Sequence, residues 1–100
     1  MTFLDKYRHE TTWHGRAMIM EIYHLAQCQR IKKWTLTKTA EYFQVSIGLV
    51  SENLRLATAI HVDATLTRIT HRQDALKVLG TGSYGKNLAA ATKGSSTELD

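Results

Sequence analysis

The chain has 100 residues, with 13 Lys and Arg against 9 Asp and Glu, a formal net charge of +4. At that length one domain of modest core is expected, which excludes a two-lobed enzyme with a deep cleft. One cysteine, Cys28, excludes an internal disulfide framework and a CxxC zinc site, and the lack of any proline points to a chain that is mostly helix.

Residues 1–12 are polar, without clear periodicity. From Trp13 to about Ile31 the set Ala17, Met18, Ile22, Leu25 and Ala26 follows helical spacing, which predicts a long first helix. Thr12 or Thr11 caps its start, and Arg16, Glu21, Gln27 and Arg30 lie on its wet side. Trp13 and Trp34 flank it and read as core anchors. A short helix is expected over 37–43, capped by Thr35 or Thr37, with Ala40 and Phe43 inward. Gln44, Val45 and Ser46 make a tight connection. Ser46 caps a further helix over about 47–60, where Leu49, Val50, Leu54, Ala57 and Ile60 form one face. Asp63 opens a short helix ending near Ile69. Thr70 and Gln73 have capping-box spacing and open a last helix, His71 to Leu79, with Ala75, Leu76 and Leu79 inward and Gly80 as its stop. Residues 80–100 are rich in Gly, Ser, Thr and Ala and read as a flexible tail behind a domain of residues 1–79. The expected fold class is all-α: a small bundle of four to five helices containing a helix-turn-helix.

The charge is unevenly placed. Lys86, Lys93, Glu98 and Asp100 cancel, so the excess lies in residues 1–79. Arg30, Lys32, Lys33 and Lys38 fall within residues 28–40 with no acid among them. Such a patch suits phosphate contact, and equally a solvated surface. The apolar stretches are short and broken by His, Arg and Glu, and residues 1–10 lack a signal-peptide run. A cytoplasmic location without membrane contact is expected, where Cys28 reads as a small buried hydrophobe.

The informative stretch is Thr37 to Ala57. Ala40 is small where two helices must cross closely, Phe43, Val45 and Val50 fill the angle between them, and Ser46 caps the second helix. This is the physical recipe of a helix-turn-helix. Residues 40–57, AEYFQVSIGLVSENLRLA, resemble the helix-turn-helix of the ParB/KorB/Noc partition proteins and of small phage and plasmid relatives. The resemblance rests on Ala40, Phe43, Val45, Ser46, Val50, Ser51, Leu54, Arg55 and Leu56. It implies binding of double-stranded DNA, with the second helix as recognition helix. It also implies a left-handed backbone at position 44, where the family usually has Gly and this chain has Gln, at a cost of about 1 kcal/mol.

The beginning of a recognition helix enters the major groove. With Val50, Leu54 and Ala57 turned inward, the outward set is Ser46, Ile47, Gly48, Ser51, Glu52 and Arg55. Ser46 and Ser51 suit base edges or phosphates, Arg55 a phosphate or a guanine, Ile47 a thymine methyl and Glu52 a cytosine amine. Gly48 allows close backbone approach. Thr37 and Lys38 open the preceding helix, where N–H groups and charge suit a phosphate. Arg30, Lys32 and Lys33 suit the flanking backbone, with Arg68 and Arg72 extending that hold.

The face is poor in the usual base readers, with one Arg, no Gln and an acid at Glu52. A helix-turn-helix shape also serves as a protein-docking surface. Two readings follow: a DNA-binding regulator or phage or plasmid partition or packaging factor, and a protein-interaction module. One motif contacts few base pairs, so a homodimer or larger assembly is expected. Among the five histidines only His9 and His14 lie close in sequence, and nothing completes a tetrahedral metal set. There is no nucleophile motif and no Gly-rich phosphate loop. No enzyme activity, cofactor or small-molecule substrate is expected.

Overall fold

A computed structural model of the chain describes residues 1–81. It contains α1 (Phe3–His9), α2 (Trp13–Arg30), α3 (Leu36–Phe43), α4 (Ile47–Val62), a 3-10 segment (Ala64–Arg68) and α5 (Arg72–Thr81). The fold is all-α, with no strand among the described residues. The tail expected over 80–100 lies, from residue 82 on, outside them. The chain forms two units, residues 1–58 and residues 59 onward.

The first unit begins with a helix that the polar start of the chain does not announce. Thr2 caps α1: its hydroxyl accepts from the Asp5 N–H at 3.0 Å, and the Asp5 carboxylate accepts from the Thr2 N–H at 3.4 Å. Phe3, Leu4 and Tyr7 then share a face directed at the core. Thr12 caps α2 as expected, accepting from the Gly15 N–H at 3.0 Å. The Glu10 carboxylate accepts from both the Thr12 N–H and its hydroxyl, at 3.1 and 2.7 Å. A Cβ at position 15 would collide with that carboxylate and with the Thr12 hydroxyl, so glycine is what lets this cap close.

The buried face of α2 is not the one that spacing suggests. Ala17, Met20, Glu21 and Tyr23 are buried, whereas Ile22 and Leu25 are each 53% exposed, and Glu21 is not on the wet side. Two apolar stripes on this helix have helical spacing. The partners supplied by α1 and α3 decide between them, and those partners are aromatic. Tyr23 stacks on Tyr42 with ring centroids 4.1 Å apart, and meets Phe43, Phe3 and Trp34 edge-on at 5.2, 5.6 and 6.1 Å. Tyr7 reaches Phe43 at 5.0 Å. The Tyr42 hydroxyl accepts from the Leu4 N–H at 3.2 Å, satisfying one of the orphan donors in the first turn of α1. Burial pushes the Tyr23 phenol up from its ordinary range, with the neighbouring Tyr42 phenol adding to the effect.

On α4, Val50 and Ala57 are fully buried as expected. Leu49 and Leu54 are only half-buried, and Asn53 and Leu56 take inward positions that spacing does not assign to them. Asn53 is accommodated by donating to the Met20 sulfur at 3.7 Å.

In the second unit Ala59, Ile60, Leu66, Ala75 and Leu79 are buried. Asp63 caps the short segment as expected, accepting from the Thr65 N–H at 3.0 Å, but the segment is a 3-10 helix. α5 starts at Arg72, and the His71 carbonyl accepts from the N–H groups of Asp74 and Ala75. Thr70 therefore precedes the cap position and the expected capping box is out of register by one residue. Gly80 does not stop the helix, which runs on to Thr81.

Removing the central ring tests this account of the core. Tyr23→Ala should cost about 3–5 kcal/mol, a large part of the stability of a domain this size. Tyr23→Phe keeps the ring and should cost about 1 kcal/mol. Thermal melts followed by circular dichroism measure both. Equal losses would mean that the ring contacts do not carry the core.

Candidate nucleic-acid interface

Thr35, the first of the two expected candidates, caps α3 by accepting from the Lys38 N–H at 3.3 Å. Thr37 and Lys38 then stand exposed in the first turn. The Lys38 ammonium lies 5.7 Å from the centre of the Trp34 ring, a cation–π contact that ties it to the loop carrying Lys32 and Lys33. Both of these lysines and Arg30 are exposed, and Arg30 donates to the Gln27 side chain at 3.2 Å.

At the end of α3, Gln44 has φ 61° and ψ 46° and is the one non-glycine residue with positive φ among the described residues. The left-handed backbone expected at this position is present with a side chain on it. Its N–H donates to the Glu41 carbonyl at 3.3 Å and that of Val45 to the Ala40 carbonyl at 3.0 Å, which closes the helix end. The Gln44 side-chain oxygen accepts from the Arg8 guanidinium at 2.9 Å. Two residues later the Ser46 hydroxyl accepts from the Leu49 N–H at 3.1 Å and its carbonyl from the Val50 N–H at 3.2 Å. Ser46 thus starts α4 as its cap, after a turn of three residues.

The turn leaves Ser46, Ile47, Gly48 and Arg55 exposed, Ile47 to 47%. Ser51 and Glu52 are half-buried and sit at the margin of this face rather than on its crest. Gly48 has open space where a Cβ would stand; the nearest atom is the Ser46 hydroxyl at 4.0 Å. Packing does not require glycine there, although glycine in a helix costs up to about 1 kcal/mol relative to alanine.

Beneath the basic loop lies a chain of polar groups. The fully buried Thr39 hydroxyl accepts from the Trp34 indole N–H at 2.8 Å and stands 2.6 Å from His24 Nδ1. The one hydroxyl thus links the indole of Trp34 to the imidazole of His24. The other ring nitrogen of His24, Nε2, faces the Cys28 sulfur at 3.5 Å. Burial holds the His24 imidazole below its ordinary value. Cys28 itself is exposed, contrary to the expected buried hydrophobe, because it lies one turn beyond His24 on the outer side of α2.

Sequence reasoning overlooked Arg8. Its connection to the turn depends on α1, and the signal for α1 was the Thr2–Asp5 cap spacing followed by Phe3, Leu4 and Tyr7. Among the described residues no three His, Cys, Asp or Glu side chains are grouped to hold a metal ion. No described helix is long and apolar enough to cross a membrane. No protein-family model, curated protein or solved structure matches the chain.

The His24 chain gives a pH dependence of definite sign. Its folded-state value is depressed, so below about pH 6.5 the unfolded chain takes up a proton that the folded chain resists. Stability from this group is present above that value and falls as the pH drops toward the folded-state value. Asp5 and Glu10, both held low by hydrogen bonds from neighbouring threonines, lose their contributions only in the more acidic carboxylate range. Melting temperatures between pH 8 and pH 5 should fall more for the parent than for His24→Gln. Parallel curves would remove His24 as the source.

Proposed function

We propose that the chain binds double-stranded DNA, with α3, the turn and α4 acting as a helix-turn-helix and α4 entering the major groove. The observation that carries this reading is the bare first turn of α4. Gly48 stands where no packing requires it, beside exposed Ser46 and Ile47, so a surface can approach the backbone closely. In this reading Ser46, Ile47 and Arg55 meet base edges, and Ser51 and Glu52 border them. Thr37, Lys38, Arg30, Lys32 and Lys33 meet phosphates and release counterions. Two copies on a two-part site would supply the specificity that one short helix lacks. A regulator or a phage or plasmid partition or packaging factor fits this activity.

A second reading, docking on a protein partner, is favoured by the apolar side chains left in water: Ile22 and Leu25 on α2 and Ile47 on α4.

Fluorescence anisotropy with a pool of short duplexes over a salt series separates the two. Binding should weaken steeply with salt. Arg55→Ala should weaken it by roughly 1–3 kcal/mol, and Lys38→Ala should weaken it and lower the salt slope by about 1, both without unfolding the chain. Gly48→Ala should raise the melting temperature slightly and weaken binding. If Arg55→Ala and Lys38→Ala both bind as the parent does, α4 is not the recognition helix; if the parent binds no duplex even at low salt, the DNA reading fails and the docking reading stands.

A further inference from the structure

We infer that Arg8, held by Gln44, is a phosphate contact of the turn between α3 and α4. This inference rests on the proposed DNA binding and adds to it a residue from outside the two-helix motif.

Three observations lead to it. First, the Arg8 guanidinium is exposed, and its one hydrogen-bond partner among the described residues is the neutral Gln44 amide at 2.9 Å. A guanidinium has five N–H donors, so this tether leaves most of them for a further acceptor and leaves the positive charge uncompensated. Second, the other arginines on α1 and α2 are engaged differently. Arg16 donates to the Glu10 carbonyl at 2.9 Å and lies over the Tyr7 ring, and Arg30 is tied to Gln27 on its own helix. Arg8 is the one of the three that reaches the turn. Gln44 stands two residues before the Ser46 cap, so the guanidinium is bonded to the residue that leads into the start of α4, where N–H groups also favour an anion.

Third, Gln44 occupies a left-handed backbone that glycine adopts without strain. A side chain there costs about 1 kcal/mol, and an exposed hydrogen bond returns about as much. Stability alone therefore gives no preference for Gln over Gly. Orienting a guanidinium toward a phosphate does, because it fixes a flexible charged side chain before binding.

The test uses the full chain and the same duplex pool. Arg8→Ala should lower the slope of log affinity against log salt by about 1, which is about fivefold in affinity at 0.15 M salt. Its melting temperature should stay close to that of the parent. Gln44→Gly leaves every charge in place and relaxes the backbone. It should melt no lower than the parent, yet bind DNA more weakly. That opposite movement cannot come from partial unfolding. If Lys38→Ala and Arg55→Ala weaken binding while Arg8→Ala and Gln44→Gly leave affinity and slope unchanged, the Arg8 contact is wrong and the DNA reading stands. If the parent binds no duplex even at low salt, both fall together.

Discussion

The stacking of Tyr23 on Tyr42, with Phe43, Phe3 and Trp34 edge-on around it, is the constraint on which the first unit depends. Six of the eight aromatic residues of the chain belong to this cluster or touch it. It takes one ring from α2, one from α1, two from α3 and one from the loop between α2 and α3, so it sets three helices at once. Edge-on and stacked pairs contribute about 0.5–1.5 kcal/mol each beyond the area they bury. Tyr42 adds directionality, because its hydroxyl must meet the Leu4 N–H while its ring stays on Tyr23. With α3 fixed in this way, the left-handed turn at Gln44 determines where the chain leaves for α4.

The parts of this structure that were legible in sequence are those specified locally. Thr12, Ser46 and Asp63 each precede a helical segment and each proves to be its cap, since capping involves only neighbouring backbone N–H groups. The three-residue turn and the inward Ala40, Phe43 and Val50 were legible for the same reason. The misreadings concern choices made by partners distant in sequence. Ile22 and Leu25 form as good a helical stripe as Met20 and Tyr23, and only the rings of α1 and α3 decide between the two stripes. α1 was missed because one short capped turn with three apolar residues has little periodicity of its own. Cys28 was misplaced with the same face of α2, and Asn53 is buried with its amide directed at the Met20 sulfur from another helix.

The candidate interface divides along similar lines. Its exposed residues, Thr37, Lys38, Ser46, Ile47, Gly48 and Arg55, follow from caps and helical phase. The half-burial of Ser51 and Glu52 depends on the packing of α4, and the arrival of Arg8 depends on α1. Below the basic loop, Thr39 serves two neighbours with one hydroxyl. It accepts from the Trp34 indole and is hydrogen-bonded to His24, and so holds the ring that supports Lys38 beside the imidazole that faces Cys28. Valine would fill the same volume but satisfy neither neighbour, leaving a half-buried indole N–H without its acceptor.

The order of the helices also bears on how fast the first unit forms. The rings that meet at Tyr23 come from three consecutive helices, joined by loops of three and five residues. Little chain entropy is spent in closing loops that short, and helical units built from near neighbours in sequence fold in microseconds to milliseconds. With no proline anywhere in the 100 residues, no X–Pro isomer has to be corrected on the way. The same clustering that hides the core face of α2 from a reading of that helix alone lets the chain find it quickly.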